Sequence, residues 1–226
     1  MRGFLASARA NDALSSRTDA LSASLLGRPY RVAPLTGSAT VAEDFDASLD
    51  AFDCVTYVET VFAAAISSDE KEFLDHLKRL RYERGGVRWD RRNHYMVTWI
   101  RRNQRAGLVT GVPLGRREVE RVRVLDAVPG LPPLTERFSC LPKRFLPGAL
   151  ARLSTGDLIC LASTKRNLDV FHCGLVIKDG LDPRDVSLRH ASRKKRAVVQ
   201  ENLFDFLGRN RMAGVIVARL SERGRG

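Results

Sequence analysis

Apolar residues recur every three or four positions in the first half of the chain, and this spacing predicts helices. The clearest helix begins at Cys54, and its apolar face consists of Val55, Val58, Val61, Phe62 and Ala65. Another helix is predicted over residues 11–26, because leucines share one face there and Gly27 and Pro29 follow. A shorter helix is expected between residues 89 and 107.

A fourth helical pattern follows Ser67, and its apolar face consists of Phe73, Leu74, Leu77 and Leu80. Ser67 and Glu70 have the spacing of a capping box, so Ser67 is predicted to cap this helix. His76 lies in the charge-rich part of the same run, next to Asp75. We therefore expect His76 to be a solvated surface residue.

The second half changes to short apolar or alternating runs that are separated by glycine and proline, which is typical of strands. Strands are predicted at residues 122–124, 158–162, 170–177, 186–190 and 214–219, with an edge strand at 197–200 and a short helix or turn at 203–207. Helices followed by strands predict an α+β domain, in which helices pack on a mainly antiparallel sheet. We expect residues 1–226 to form a single domain, with about ten flexible residues at its start and about six at its end.

The composition is that of an ordinary soluble protein, with 44% hydrophobic and 28% charged residues in 226. No window approaches the roughly 18 apolar residues that span a bilayer, so no transmembrane segment is predicted. The first residues also lack the apolar run of a secretion signal. We expect a cytoplasmic protein or, if a signal is missing from this sequence, a periplasmic or wall-associated one.

Positive charge is concentrated in the second part of the chain. Residues 1–75 contain 6 Lys or Arg and 12 Asp or Glu, whereas residues 76–226 contain 32 and 14. This surface indicates an anionic partner, unless it reflects only an arginine-rich composition. No stretch interleaves aromatic and basic residues as a base-stacking platform would, so nucleic acid is not the expected partner.

The four cysteines are Cys54, Cys140, Cys160 and Cys173. They form no closely spaced pair of the kind that a zinc site needs, and their spacing favours no disulfide pairing. We expect no metal ion and no cofactor.

Cys54 is a candidate nucleophile, because the positive end of a helix dipole favours a thiolate at the first turn. Buried cysteines are more often small apolar residues, so this role requires a histidine base elsewhere. His172 lies in an otherwise apolar strand, where a titratable ring needs a hydrogen-bond partner. His190 ends the next strand, and a hairpin through residues 180–185 would bring it beside His172 to orient that ring.

These residues resemble a known family. Cys54 at a helix start, His172-Cys173-Gly174 in a strand and His190-Ala191-Ser192 in the next are similar to the NlpC/P60 superfamily of papain-like cell-wall peptidases. The wider pattern resembles the DUF1460 branch, described as N-acetylmuramoyl-L-alanine amidase-like, at Leu26-Gly27-Arg28-Pro29-Tyr30, Phe52 to Glu59, Asn93-His94-Tyr95, Trp99, Gly156-Asp157 and Gly214 to Arg219. The resemblance implies a papain-like fold with Cys54 as nucleophile, His172 as general base and His190 as the orienting residue.

The resemblance also implies substrate-binding residues. Asp53 would hold the amino end of a stem peptide, although it could equally cap the helix of Cys54. Tyr30, Tyr95 and His94 are weaker candidates for the pocket, and the last two could instead pack the cysteine helix against the next helix. Glu59 is expected to be structural and paired with an arginine.

The function predicted on this basis is hydrolysis of an amide bond in peptidoglycan fragments or stem peptides through a thioacyl-enzyme. The bond lies either between muramic acid and L-alanine or after D-glutamate, and no motif decides between them. Two alternatives remain: a non-catalytic basic protein that binds nucleic acid or another polyanion, and an acyltransferase with the same fold.

Overall fold

A computed structural model describes residues 1–7 and 13–222. Its helices are α1 (Arg2–Ala6), α2 (Leu14–Ser24), α3 (Cys54–Ala65), α4 (Glu70–Arg81), α5 (Met96–Arg105) and α6 (Leu203–Arg209). Its strands are β1 (Val109–Gly111), β2 (Val119–Leu125), β3 (Leu134–Cys140), β4 (Leu158–Ala162), β5 (Val170–Lys178), β6 (Val186–Ser192), β7 (Ala197–Asn202) and β8 (Gly214–Leu220). Short 3-10 helices lie at Glu83–Gly85, Trp89–Arg91, Lys143–Arg152 and Pro183–Asp185.

The strands form one large sheet and one separate hairpin. The six-stranded sheet has the order β1-β8-β4-β5-β6-β7, and each of its neighbouring pairs is antiparallel. Strands β2 and β3 form the hairpin. Helices from the first half pack on this sheet, which confirms the predicted α+β class. The sequence did not predict β1, which is only 3 residues long, or β3, in which the apolar Leu134 is exposed and the charged Glu136 is buried.

Helix α3 lies at the centre of the molecule, between the sheet and the other helices. It contacts β5 and β6 on one side and α2 and α4 on the other. Ten of its 12 residues are buried as a result, so the predicted single apolar stripe was too narrow. Glu59 is buried with them and accepts hydrogen bonds from Arg81 Nε at 2.7 Å and Trp99 Nε1 at 3.1 Å. The expected pairing of Glu59 with an arginine is confirmed.

The start of α4 differs from the prediction. Asp69, not Ser67, caps the helix by accepting from the backbone N–H of Glu72 at 2.9 Å. The Ser67 hydroxyl instead shares a 2.8 Å hydrogen bond with Nδ1 of His76, whose predicted exposure was also wrong. His76 follows Phe73 by three positions, and this spacing turns its ring toward the same buried face.

The two ends of the chain are described only in part. Residues 8–12 and 223–226, on which much of the predicted flexibility falls, lie outside the described residues. Arg2–Ala6 form a helix in which Leu5 is buried, and Phe4 makes an edge contact with Phe73. Among the described helices, none is both long and apolar enough to cross a bilayer.

Candidate active site

Cys54 is the first residue of α3, and the residue before it fixes the helix start. Asp53 Oδ1 accepts hydrogen bonds from the backbone N–H groups of Val55 at 3.0 Å and Thr56 at 2.8 Å. The Thr56 hydroxyl accepts from the backbone N–H of Asp53 at 3.0 Å, which completes a capping box. Asp53 therefore caps the helix, and the Cys54 sulfur lies at the positive end of the helix dipole.

His172 and His190 lie on neighbouring antiparallel strands, as the hairpin prediction requires. Nε2 of His172 is 2.6 Å from Nδ1 of His190, and the two rings meet edge to face. Gly174 makes this approach possible, because a Cβ at that position would lie 2.8 Å from the Cβ of His190 and 2.9 Å from the carbonyl oxygen of Arg189. The His172-Cys173-Gly174 motif thus includes the glycine that this packing requires.

Glu201 on β7 holds the far side of His190, a role that the sequence reading missed. Its Oε1 is 3.0 Å from Nε2 of His190, and its other oxygen accepts from Arg209. His190 pairs across the sheet with Val199, so Glu201, two residues further along β7, projects from the same face. The predicted edge strand ended at residue 200, one position too early to reveal this alternation.

These contacts fix the tautomers of both rings. A carboxylate only accepts, so Nε2 of His190 donates to Glu201 and its Nδ1 carries a lone pair. Burial, followed by the charge of His172, lowers the pKa of His190 to about 4, so His190 is neutral at neutral pH. His172 then donates through Nε2, and its Nδ1 is left to interact with the thiol of Cys54.

The electrostatics favour a thiolate at Cys54. The hydrogen bond from the Cys173 thiol is the main reason why the pKa of Cys54 lies well below its ordinary value. Burial acts in the opposite direction, and a hydrogen bond and positive charge from His172 lower the pKa further. The Cys173 thiol, which also donates to the Cys54 carbonyl oxygen at 3.3 Å, has a raised pKa because of this hydrogen bond and its burial. Of these two neighbouring thiols, Cys54 is therefore the one that ionises, and Cys173 keeps its proton. None of the four cysteines forms a disulfide.

Tyr30 reaches the site through an extended segment beside the edge strand. The backbone N–H of Tyr30 donates to the Arg196 carbonyl at 2.9 Å, and the residue also bridges to Phe52. Burial raises the pKa of the Tyr30 hydroxyl, and the negative charges of Cys54 and Asp53 raise it further. The positive charge of Arg193 lowers this pKa. The structure thus brings Tyr30 together with the cysteine and its cap.

Tyr95 and His94 make their described contacts elsewhere. The Tyr95 hydroxyl accepts from the backbone N–H of Val128 at 3.2 Å, in a small core beside the β2–β3 hairpin. Nε2 of His94 is 2.7 Å from the Trp89 carbonyl oxygen, and the two rings are in contact. Neither of these contacts packs the cysteine helix against the next helix, and the substrate contact of both residues stays a prediction.

A cleft of about 550 Å³ opens beside the two catalytic candidates, His172 and His190. Its apolar wall includes Phe206, which stacks on His172 with ring centroids 5.5 Å apart. Its rim includes Ser192, Arg193, Lys194 and Lys195. Cys54 is not among the residues that line this cleft, and another cleft, of about 430 Å³ between α5 and β8, is lined by none of Cys54, His172 and His190.

The sequence matches the model of a family described as N-acetylmuramoyl-L-alanine amidase-like over residues 20–215. The chain belongs to this family. Two crystal structures of an N-acetylmuramoyl-L-alanine amidase from Bacteroides uniformis share its fold, with TM-scores of 0.81 and 0.82, 22% and 23% identity, and coverage of 92% of this chain and 99% of theirs. A Legionella pneumophila protein of the DUF1460 family has a TM-score of 0.79 and 19% identity, with coverage of 93% of this chain and 90% of its own. No curated protein matches the sequence.

The amidase-like family supports the coarse functional assignment, an amidase-like hydrolase of peptidoglycan-type substrates. It does not identify the reacting residues. Those are argued from the geometry of this chain.

Proposed function

We propose that the protein is a cysteine amidase that hydrolyses an amide bond of muropeptides through a thioacyl-enzyme. The observation that carries this proposal is the low-pKa sulfur of Cys54 at a helix start, in contact with a histidine whose second nitrogen is held by another histidine. A nucleophile, a base and an orienting group in this order are the components of nucleophilic acyl transfer.

In the proposed reaction, the Cys54 thiolate attacks the amide carbonyl and His172, which has taken up the thiol proton, returns it to the leaving amine. Water then attacks the thioester, with the same imidazole as base, and the acid product leaves. The backbone N–H of Cys54 is a candidate donor to the oxyanion, because N–H groups at a helix start have no intrahelical partner. His190 and Glu201 hold His172 in the orientation in which Nε2 donates to His190 and Nδ1, directed at the sulfur, accepts the thiol proton and later releases it.

Asp53 combines its cap with a proposed role in substrate binding. Its Oδ1 accepts all three capping hydrogen bonds. No hydrogen bond within residues 1–7 and 13–222 uses its Oδ2. Burial, followed by the charge of Cys54, raises the pKa of this carboxyl to about 6. We assign Oδ2, with the Tyr30 hydroxyl, to the binding of the L-alanine amide or amine. The family description favours the muramoyl–L-alanine bond over the D-glutamyl bond.

The test is incubation of the protein with defined muropeptides and mass analysis of the products. A free L-alanine amine and a muramic acid carboxylate are expected, whereas cleavage after D-glutamate would reassign the bond and an acyl adduct would indicate transfer. Cys54→Ala should abolish turnover and Cys160→Ala, which removes a buried thiol whose pKa burial raises, should retain it. Cleavage by Cys54→Ala would refute the proposal.

Alkylation gives a test that needs no substrate. At neutral pH, iodoacetamide should modify Cys54 much faster than the buried thiols Cys140, Cys160 and Cys173, because the thiolate is the reactive form. Equal rates at Cys54 and Cys140 would contradict the activated thiolate.

A further inference from the structure

The turn between β6 and β7 consists of four consecutive cations, residues 193–196. The side chains of Arg193, Lys194 and Lys195 are exposed and line the cleft beside the catalytic histidines. Within the described residues, no carboxylate pairs with any of these three. Their charge therefore remains available to a ligand in the cleft.

The turn is held in place by the fold. The Ser192 hydroxyl accepts from the backbone N–H of Lys195 at 3.2 Å, and the Arg196 carbonyl accepts from the backbone N–H of Tyr30 at 2.9 Å. The strands on both sides continue in register from Ser192 and Ala197. Because the backbone of this turn is already fixed, a ligand does not have to order it on binding, and less conformational entropy is lost.

Among the residues that the structure describes, the cleft has no free carboxylate to neutralise this rim. Its one acidic residue, Glu201, already accepts from His190 and Arg209. Arg193 lies close enough to Tyr30 for its charge to act on the same hydroxyl as the charge of Cys54. The backbone hydrogen bond from Tyr30 to Arg196 thus joins the cationic turn, which lines the open cleft, to the segment that carries Tyr30.

We propose that Arg193, Lys194 and Lys195 bind the free carboxylates of the peptide part of the substrate. This inference rests on the proposed amidase function and adds the orientation of the substrate. When the muramoyl–L-alanine bond is cleaved, the lactyl carboxyl is tied up in that bond and the remaining free carboxylates belong to the leaving peptide. The cationic turn therefore holds the leaving peptide, and the sugar lies on the other side of Cys54.

The experiment measures binding to the Cys54→Ala protein, which removes turnover. The two probes are a muropeptide with free stem-peptide carboxylates and the same muropeptide with these carboxylates amidated. The wild-type turn should bind the acid form about tenfold more tightly, as expected for one charge-assisted hydrogen bond. Arg193→Gln with Lys194→Gln should remove this preference and weaken its dependence on salt.

The matched control is Lys71→Gln with Arg116→Gln, which removes the same two charges from exposed positions outside the cleft. The control should bind the acid form as tightly as the parent. An equal loss in the control, or equal binding of acid and amide forms by the parent, would overturn the inference. An unchanged thermal unfolding midpoint shows that the variants are folded.

The two proposals fail in distinguishable ways. If the wild-type enzyme cleaves both forms through Cys54 with equal kcat/KM and the turn variants match it, only the inference on the turn is refuted. If neither muropeptide binds or is cleaved, the amidase proposal is refuted, and the inference with it.

Discussion

Glu201→Gln is the substitution that tests the chain of contacts behind Cys54. Glutamine has nearly the same shape and can still accept from Nε2 of His190 through its amide oxygen. The substitution removes the negative charge and, because an amide NH2 cannot accept, also the oxygen that accepts from Arg209. In the proposed reaction, positive charge appears on His172 when it takes up the thiol proton, and the Glu201 carboxylate stabilises that charge through His190.

The size of the effect follows from the two hydrogen bonds. The His172–His190 contact is 2.6 Å and the His190–Glu201 contact is 3.0 Å. With one imidazole ring between them, the carboxylate lies at most about 8 Å from Nε2 of His172. At an effective dielectric constant of about 20, two unit charges at this distance interact by about 2 kcal/mol. Loss of this interaction corresponds to about a 30-fold lower kcat/KM.

The assay is the pH profile of kcat/KM with a muropeptide substrate. In Glu201→Gln, the alkaline limb should move down by about 1.5 pH units, because the protonated histidine pair loses its counter-charge. Arg209→Gln, which leaves Glu201 without its other partner, should move the same limb upward. A uniform loss of activity with an unmoved profile, or shifts of the same sign in both variants, would refute the reasoning.

Three further substitutions test other parts of the site. Asp53→Asn keeps the cap and removes a carboxyl whose pKa burial raises from 3.8 to about 6. Ionisation of a carboxyl with a raised pKa destabilises the folded wild-type protein as the pH rises through that range. In urea unfolding, the variant should therefore be more stable than the wild type by up to about 3 kcal/mol at pH 7 and no more stable near pH 4. An equal gain at both pH values would contradict this. Gly174→Ala puts a Cβ 2.8 Å from the Cβ of His190. The free energy of unfolding should fall by about 1–3 kcal/mol, and most of the turnover should be lost with it. A variant with normal kcat would disprove the need for this close approach. Arg81→Met leaves Glu59 buried and unpaired, so denaturant titration should show a loss of about 3–5 kcal/mol; a loss below about 1 kcal/mol would mean that Glu59 is not charged in the folded protein.

The sequence predicted the features of the site that depend on local pattern. An Asp before an apolar helical run is a strong cap signal, so the start of α3 at Cys54 could be predicted. Two apolar strands joined by a short turn indicate a hairpin, and this placed His190 beside His172. The α+β class followed from the order of helices and strands.

Features that depend on long-range contacts were missed. Ser67 and Asp69 both have capping side chains, but the Ser67 hydroxyl donates to the Ala63 carbonyl oxygen and bonds to His76, and Asp69 caps the helix. The charged neighbours of His76 predict an exposed residue, but its position on the helix faces the core. Glu201 was missed because a strand boundary was placed too early, and boundaries are the least certain part of a pattern-based assignment.

The place of β8 in the sheet has a consequence for the timing of synthesis. Residues 214–220 lie between β1 and β4, so the ribosome must release them before the sheet can close. Pairings between residues so far apart in the chain form slowly, because the intervening loop must first be closed. A nascent chain exposes Cys54 long before Glu201 and β8 exist. We expect that thiol to have ordinary reactivity until translation has passed β8, so that alkylation of ribosome-bound chains with iodoacetamide should show no preference for Cys54.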